Sequence, residues 1–216
     1  MKNNNLLKRY VFFVIGLFIM SFGVALSIKA NLGTSPISSL PYVTSLISGL
    51  TVGQTTMVLH CVLIVIQILV LRKKYEWIQL MQLPVAIIFG SLTDFAVWAT
   101  SGIQHSAYWQ QWLICFAGIF LVAVGVSIEF TAGVVVLAGE GVVLAFSKVF
   151  PIKKSNMKMV FDMTLVGISL ILLFIFVGRL DGVREGTFVA AIMVGAITKK
   201  INPVMEKVEE FFLKRH

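Results

Sequence analysis

The chain has 216 residues, of which 58% are hydrophobic and 13% are charged, and its formal net charge is +8. A soluble domain carries roughly 45 to 50% apolar and about 25% charged residues, so this composition excludes an ordinary soluble protein. The positive charge does not require a nucleic-acid partner, because the cations cluster beside apolar runs. No nucleic acid is therefore expected, and the lipid bilayer is the expected partner.

Six apolar runs approach the roughly 20 residues that cross about 30 Å of hydrocarbon as a helix. They cover residues 10–28, 53–71, 78–100, 109–128, 159–177 and 182–198. Unpaired backbone groups cannot face lipid, and the alternating pattern of a barrel strand is absent. The sequence therefore predicts an all-α polytopic membrane protein with six transmembrane helices.

Two shorter apolar segments, 34–50 and 134–150, each follow a span and begin with a polar, glycine-containing break. The first begins Gly33-Thr34-Ser35-Pro36, in which Thr34 or Ser35 could cap a helix with Pro36 in its first turn. The second contains Gly139-Glu140-Gly141 at the corresponding place. We interpret both segments as re-entrant or broken half-helices. The alternative is that they are amphipathic external loops lying on the membrane.

The sequence also contains an internal repeat. Residues 16–24 return as residues 118–126 with matching glycines, and 58–63 and 89–93 have counterparts at 160–165 and 194–198. The predicted first repeat is 1–103 and the second is 104–200, each with three spans and one half-helix. Transporter half-repeats are the closest architectural comparison.

The positions of the cations predict the orientation of these repeats. Fifteen of the 18 Lys and Arg fall in four clusters, which are Lys2, Lys8 and Arg9; Arg72, Lys73 and Lys74; Lys148, Lys153, Lys154 and Lys158; and Lys199, Lys200, Lys207, Lys214 and Arg215. If all four are cytoplasmic, both termini are cytoplasmic and the six spans alternate without conflict. Three spans per copy then make the repeats inverted. Residues 201–216 are predicted to form a separate amphipathic tail helix, which Asn202 caps, on the cytoplasmic leaflet.

Polar side chains inside apolar segments are costly and mark candidate sites. The half-helix starts supply candidate substrate-binding residues, namely Thr34, Ser35, Ser38, Gly139, Glu140 and Gly141. The spans supply candidate pathway or coupling residues, namely Lys29, His60, Asp94, Glu129 and Asp162. Glu140 is the strongest of these candidates, because it lies between two glycines at a predicted helix start.

Each of the charged candidates also has a structural interpretation. The helix dipole would stabilise Glu140, and Asp162 could pair with Lys158 four residues earlier. Asp94 could be solvated near a helix end, and Glu129 could simply mark one. His60 could carry protons near neutral pH or could form part of the packing. His60 in the first copy corresponds to Asp162 in the second copy. Because these side chains differ, we expect the site to be chemically asymmetric at this pair.

The arrangement resembles the bacterial YczE/YyaS/YitT-type family of membrane proteins, through residues 29–41 and 139–144. Members often have Gly-Pro-Trp-Asp at the first break, whereas this chain has Gly33-Thr-Ser-Pro36. The resemblance implies a multi-span protein of the bacterial inner membrane and supplies no agreed activity. Function must therefore be argued from the residues.

The sequence favours a small secondary transporter for a small polar or charged solute, with the site between the repeats and protons as the coupling ion. Helix N-termini favour anions, whereas the acidic residues favour cations or protons, so the sign of the solute stays open. The alternatives are a substrate-capture subunit of an ATPase-driven vitamin-type importer, and a non-transporting accessory protein or membrane enzyme. No enzyme signature, cofactor or metal-ligand spacing is present, and a homodimer is a further possibility.

Overall fold

The computed structural model describes residues 2–179 and 181–213, and these residues form eight α-helices and no strand. The helices are α1 (Lys2–Ala30), α2 (Pro36–Ser48), α3 (Val52–Leu71), α4 (Gln82–Ala99), α5 (Tyr108–Ala132), α6 (Ala138–Val149), α7 (Lys154–Leu172) and α8 (Glu185–Leu213). Six of them are long and apolar enough to span a membrane. The predicted all-α fold with six spans is confirmed, and the protein is a multi-pass membrane protein.

The two segments predicted as half-helices, 34–50 and 134–150, each contain a short helix, α2 and α6 respectively. Ser35 is the N-cap of α2 with an extended backbone, and Pro36 occupies the first turn, where its missing N–H costs nothing. The helix ends at Gly49, whose φ of 71° is a left-handed conformation that glycine adopts without strain. Pro41 inside α2 removes the helical hydrogen bond to the Ile37 carbonyl. Local sequence chemistry therefore accounts for both ends of this helix.

The C-terminal boundary differs from the prediction. Helix α8 continues through Asn202 and Pro203 to Leu213, so the described part of the expected tail helix is the end of α8. An ion pair between Arg9 of α1 and Glu209 of α8 holds this end against the bundle. Packing and this ion pair outweigh the cost of proline in a helix interior. Lys214 and Arg215 of the fourth cation cluster lie outside the described residues.

Helices α1 and α5 cross closely through their repeat-matched glycines. A Cβ placed on Gly125 would lie 2.7 Å from the Gly16 carbonyl oxygen, and one on Gly23 would lie 2.8 Å from the Gly118 carbonyl oxygen. As the residue number increases along α1, the number of the contacting residue on α5 decreases, so the two helices run antiparallel. Small residues permit this approach because no side chain separates the backbones.

The glycine crossing leads to a stability prediction. Gly125→Ala should destabilise the protein by about 1–3 kcal/mol, because the added methyl group overlaps the α1 backbone. Gly167→Ala in α7 meets no atom within 4 Å and should stabilise by up to about 1 kcal/mol through helix propensity. Thermal unfolding in detergent measures both changes. Equal shifts of the two variants would contradict the close crossing.

The basic residues near several helix ends gather at one end of the bundle, here called the basic end. Arg9 donates to the Ala132 carbonyl at 2.9 Å, and Lys154 lies 5.3 Å from the centroid of the Phe130 ring. These contacts bring together the beginnings of α1 and α7 and the end of α5. The ion pairs that hold the ends of α6 and α8 are Lys148–Glu76 and Arg9–Glu209.

The chain breaks after α1 well inside the length of the bundle. Gly186 donates its N–H to the Leu32 carbonyl at 2.7 Å, and a Cβ on Gly186 would lie 3.0 Å from the Cys115 sulfur. Cys115 is seven residues into α5, so the break lies about 10 Å from the start of that helix. Helix α2 thus begins in the interior of the bundle and not at its surface.

Candidate functional site

The starts of the two half-helices meet at the centre of the molecule. The Ile37 side chain in the first turn of α2 packs directly against Gly139 in the first turn of α6. Beside this contact lies a cavity of about 250 Å³ that receives residues from all eight helices. Its polar lining residues are Ser35, Ser38, Thr56, His60, Glu129, Glu140, Lys158, Asp162 and Thr198.

A group of three ion-paired side chains forms the charged wall of this cavity. The Lys158 ammonium of α7 lies 3.2 Å from Glu140 Oε1 and 3.1 Å from Asp162 Oδ1. The carboxylate-bearing side chains are largely buried, with 18% and 13% exposure, and that of Lys158 is 34% exposed. The two acids outnumber their cation, so the group carries a net negative formal charge.

Glu129 reaches the same cavity from the end of α5. Its side chain is 2% exposed, and its Oε1 accepts a 2.6 Å hydrogen bond from the N–H of Leu137, the N-cap of α6. This bond satisfies one of the free N–H groups at the helix start, which a carboxylate stabilises well. Glu129 therefore does mark a helix end, as one interpretation of the sequence expected, and it also lines the cavity.

His60 lies opposite the charged group. Its ring stacks on Phe89 with 6.0 Å between centroids, and the residue is 2% exposed. Among the described residues, no hydrogen-bond partner reaches its Nδ1 atom. A buried polar atom without a partner is costly, and the described contacts leave this histidine with one unsatisfied ring nitrogen. Ser35 and Ser38 add hydroxyl groups that bond to each other at 3.0 Å.

The remaining sequence candidates have structural contacts. Asp94 accepts hydrogen bonds from the Thr51 hydroxyl at 2.6 Å and the Gly53 N–H at 2.7 Å, so it holds the start of α3. Lys29 is half-buried in the last turn of α1. Thr34 joins the α1–α2 connection to the Gly182 carbonyl through its N–H at 3.0 Å. None of these three side chains lines the cavity.

The glycines of the second half-helix allow close packing. A Cβ on Gly141 would lie 2.5 Å from the Gln67 side-chain oxygen of α3, and Gly139 contacts Ile37. Both glycines therefore let α6 approach its neighbours, and they position Glu140 between them. No three His, Cys, Asp or Glu side chains in the described part of the chain converge on a metal-sized site.

Sequence reasoning missed Lys158 as a residue of the site because it was grouped with Lys148, Lys153 and Lys154. Its spacing four residues before Asp162 was interpreted only as an ion pair and not as a sign that Lys158 belongs to the site. Thr56 and Thr198 were also missed, since a hydroxyl in a span is common. A shift of 102 positions pairs Thr56 with Lys158, as it pairs His60 with Asp162.

The charged residues of the cavity all lie in the predicted second repeat. The same shift pairs Ser38 with Glu140, so the predicted first repeat contributes hydroxyl groups and an imidazole at positions that correspond to ions in the second. The lining of the cavity is therefore chemically asymmetric.

Comparison with known proteins identifies a family and two relatives. Residues 7–203 match a family of unknown function, DUF6198. The chain belongs to this family. It is 27% identical to the uncharacterised protein YyaS of Bacillus subtilis (strain 168), over 92% of this chain and 94% of YyaS. It is also 27% identical to the uncharacterised membrane protein YczE of the same organism, over 90% of this chain and 85% of YczE. No solved structure matches the chain.

Proposed function

We propose that this protein is a small secondary transporter that carries a small organic cation across the bacterial inner membrane. The observation that carries the proposal is the charged cluster of Glu140, Lys158 and Asp162 at the point where two half-helix starts meet. Ionisable groups inside a bundle of spans are expensive to bury, and transporter sites are typically formed by broken helices near the middle of the membrane.

Inverted repeats are the second element of the proposal. When each residue is replaced by its counterpart 102 positions away, the Gly16–Gly125 contact becomes the Gly118–Gly23 contact. In the same way the Ser39–Ser169 contact becomes the Gly141–Gln67 contact. The Ile37–Gly139 contact maps onto itself. Reciprocal contacts of this kind are expected around a two-fold axis. Such an axis would let one repeat rock against the other around the central cavity.

The orientation follows from the basic end. Placing this end in the cytoplasm satisfies the positive-inside rule with both termini inside. The breaks after α1 and α5 then divide two spans, and α2 and α6 leave the cavity towards opposite sides. This would expose the cavity alternately to each side.

The charges favour a cation as the solute. The ion-paired group in the cavity sets the two carboxylates of Glu140 and Asp162 against the one ammonium of Lys158, so its net formal charge is negative. The rest of the cavity lining is mainly apolar, and the cavity volume of about 250 Å³ is below that of typical ligand pockets, so the solute must be small. A compact cation with an apolar body fits these three properties.

Lys158 has a specific role in this proposal. Its ammonium occupies the place between Glu140 and Asp162 that a solute cation would take. In the empty transporter the tethered ammonium pairs with both carboxylates, and an arriving cation competes with it. Binding therefore exchanges one ion pair for another, which avoids leaving unpaired charge in the bundle.

The test is transport by the purified protein alone in liposomes. Tetramethylammonium and methanesulfonate are matched probes, because each is compact and permanently charged and neither crosses lipid by losing its charge. We expect saturable uptake of tetramethylammonium and none of methanesulfonate.

Each failure of this test has a distinct meaning. Preference for methanesulfonate would reject a cation site, and non-saturable conductance would identify a channel. Flux that requires a co-purified ATPase would favour the substrate-capture subunit. Absence of flux under all of these conditions would reject transport.

A further inference from the structure

A second cavity lies next to the central one, towards the basic end. It has a volume of about 320 Å³ and is lined by the α5–α6 connection and by the chain that follows α3, including Glu76 and Gln82. Glu129 and Phe130 line both cavities. The last turn of α5 is therefore part of the partition between them, and the only carboxylate in that partition, among the described residues, is Glu129.

The contacts of Glu129 leave its charge uncompensated by any cation. Its described hydrogen bond comes from the neutral Leu137 N–H, and no nitrogen of a described Lys, Arg or His side chain lies within 4.0 Å of its carboxylate. An ionised carboxylate at 2% exposure without a cation is costly, whereas a protonated one is not. Other nearby carboxylates in the central cavity are paired with Lys158, so Glu129 differs from them in this respect.

The geometry points to Glu129 as the group that carries a coupling proton between the central cavity and the second cavity. This inference rests on the proposed function. The carboxylate binds a proton from water in one cavity and releases the same proton to water in the other, while a solute cation occupies the central site. Its corresponding residue in the first repeat is Ser27, which bonds to the Gly23 carbonyl at 2.9 Å and has no acidic proton to exchange. Coupling is therefore confined to one side of the molecule.

The charged and titratable groups around Glu129 agree with a shared proton path. On the side of the central cavity these groups come from α3, α6 and α7, and they are His60, Glu140, Lys158 and Asp162. On the other side they come from α1, α6, α7 and the connection after α3, and they are Arg9, Lys148, Lys154 and Glu76. Cations favour release of the proton and the acids favour its retention, so occupation of the central site by a cation promotes release.

The decisive variant is Glu129→Gln, which keeps the shape and the acceptor for Leu137 but cannot exchange a proton. In liposomes, tetramethylammonium accumulation driven by a pH gradient should fall about tenfold or more. Exchange of labelled for unlabelled tetramethylammonium without a gradient should remain close to the native rate. Glu129→Asp keeps the acid and should restore part of the accumulation, and Glu206→Gln on the exposed side of α8 should behave as native.

Two transport outcomes would overturn the inference. Native-like gradient-driven accumulation in Glu129→Gln would show that the proton travels elsewhere, and loss of exchange in a folded variant would make Glu129 part of the cation site. Infrared difference spectra between neutral and acidic pH give a readout without a solute. The band of a protonated buried carboxyl should be present in the native protein and absent in Glu129→Gln, and an unchanged band would contradict proton exchange. If the native protein exchanges no tetramethylammonium, the proposed function fails, and this spectrum still decides whether Glu129 binds a proton.

Discussion

Glu140→Gln is expected to lower the affinity for tetramethylammonium about tenfold or more, and its uptake in proportion. The variant keeps the size of the side chain and removes one of the two carboxylates that hold the cation. A hydrogen bond to a charged group contributes about 1.5–3 kcal/mol, which corresponds to about one or two factors of ten. Concentration-dependent uptake in liposomes measures the change.

The matched control is Glu185→Gln at the start of α8. Glu185 is 50% exposed, pairs with Arg184 and does not line the cavity. It carries the same chemical change and should leave uptake unchanged. Thermal unfolding of both variants separates a lost site from a lost fold. Native affinity in a folded Glu140→Gln protein would remove Glu140 from the site.

Lys158→Met is expected to destabilise the protein. It leaves Glu140 and Asp162 next to each other without their shared cation. Removing one partner of a fully buried ion pair costs about 3–5 kcal/mol, and the partial exposure of Lys158 reduces this to about 1–3 kcal/mol. Adding Glu140→Gln and Asp162→Asn to the variant should recover most of the loss. Thermal unfolding in detergent at neutral pH measures all three proteins.

The single variant Lys158→Met should gain more stability from tetramethylammonium than the native protein does, because no tethered ammonium competes for the carboxylates. Lys148→Met is the control for the loss of a lysine. Its partner is Glu76, both side chains are more than half exposed, and an exposed pair contributes only about 0–1 kcal/mol. A Lys158→Met protein that is as stable as Lys148→Met would contradict the proposed ion-pair exchange.

The spans and the half-helices could be predicted because their causes are local. Hydropathy over about 20 residues identifies a span, and Ser35-Pro36 followed by Gly49 identifies a short helix. The boundary at Asn202 was wrong for the opposite reason. Asn before Pro favours a helix start, but contacts of α8 with distant parts of the chain, including Arg9, hold one continuous helix.

The candidate site was only partly predictable. Glu140, Asp162, His60 and Glu129 reach one cavity, whereas Asp94 was selected by the same argument and instead holds the start of α3. Sequence distance cannot separate these cases, because each is an ionisable residue in an apolar run. Their difference lies in the helix that each side chain faces.

The sequence by itself determined the membrane as the medium, the number of helices long enough to span it and the places of the two short helices, since composition and turn chemistry act over short stretches of chain. The tertiary structure alone decided which polar residues share a cavity, because Ile37 and Gly139 are about a hundred positions apart and meet only through packing. It also decided that Lys158 pairs with two acids and that Glu129 lies between two cavities. Burial and neighbouring charge determine the chemistry of an ionisable group, and both depend on helices that are distant in sequence.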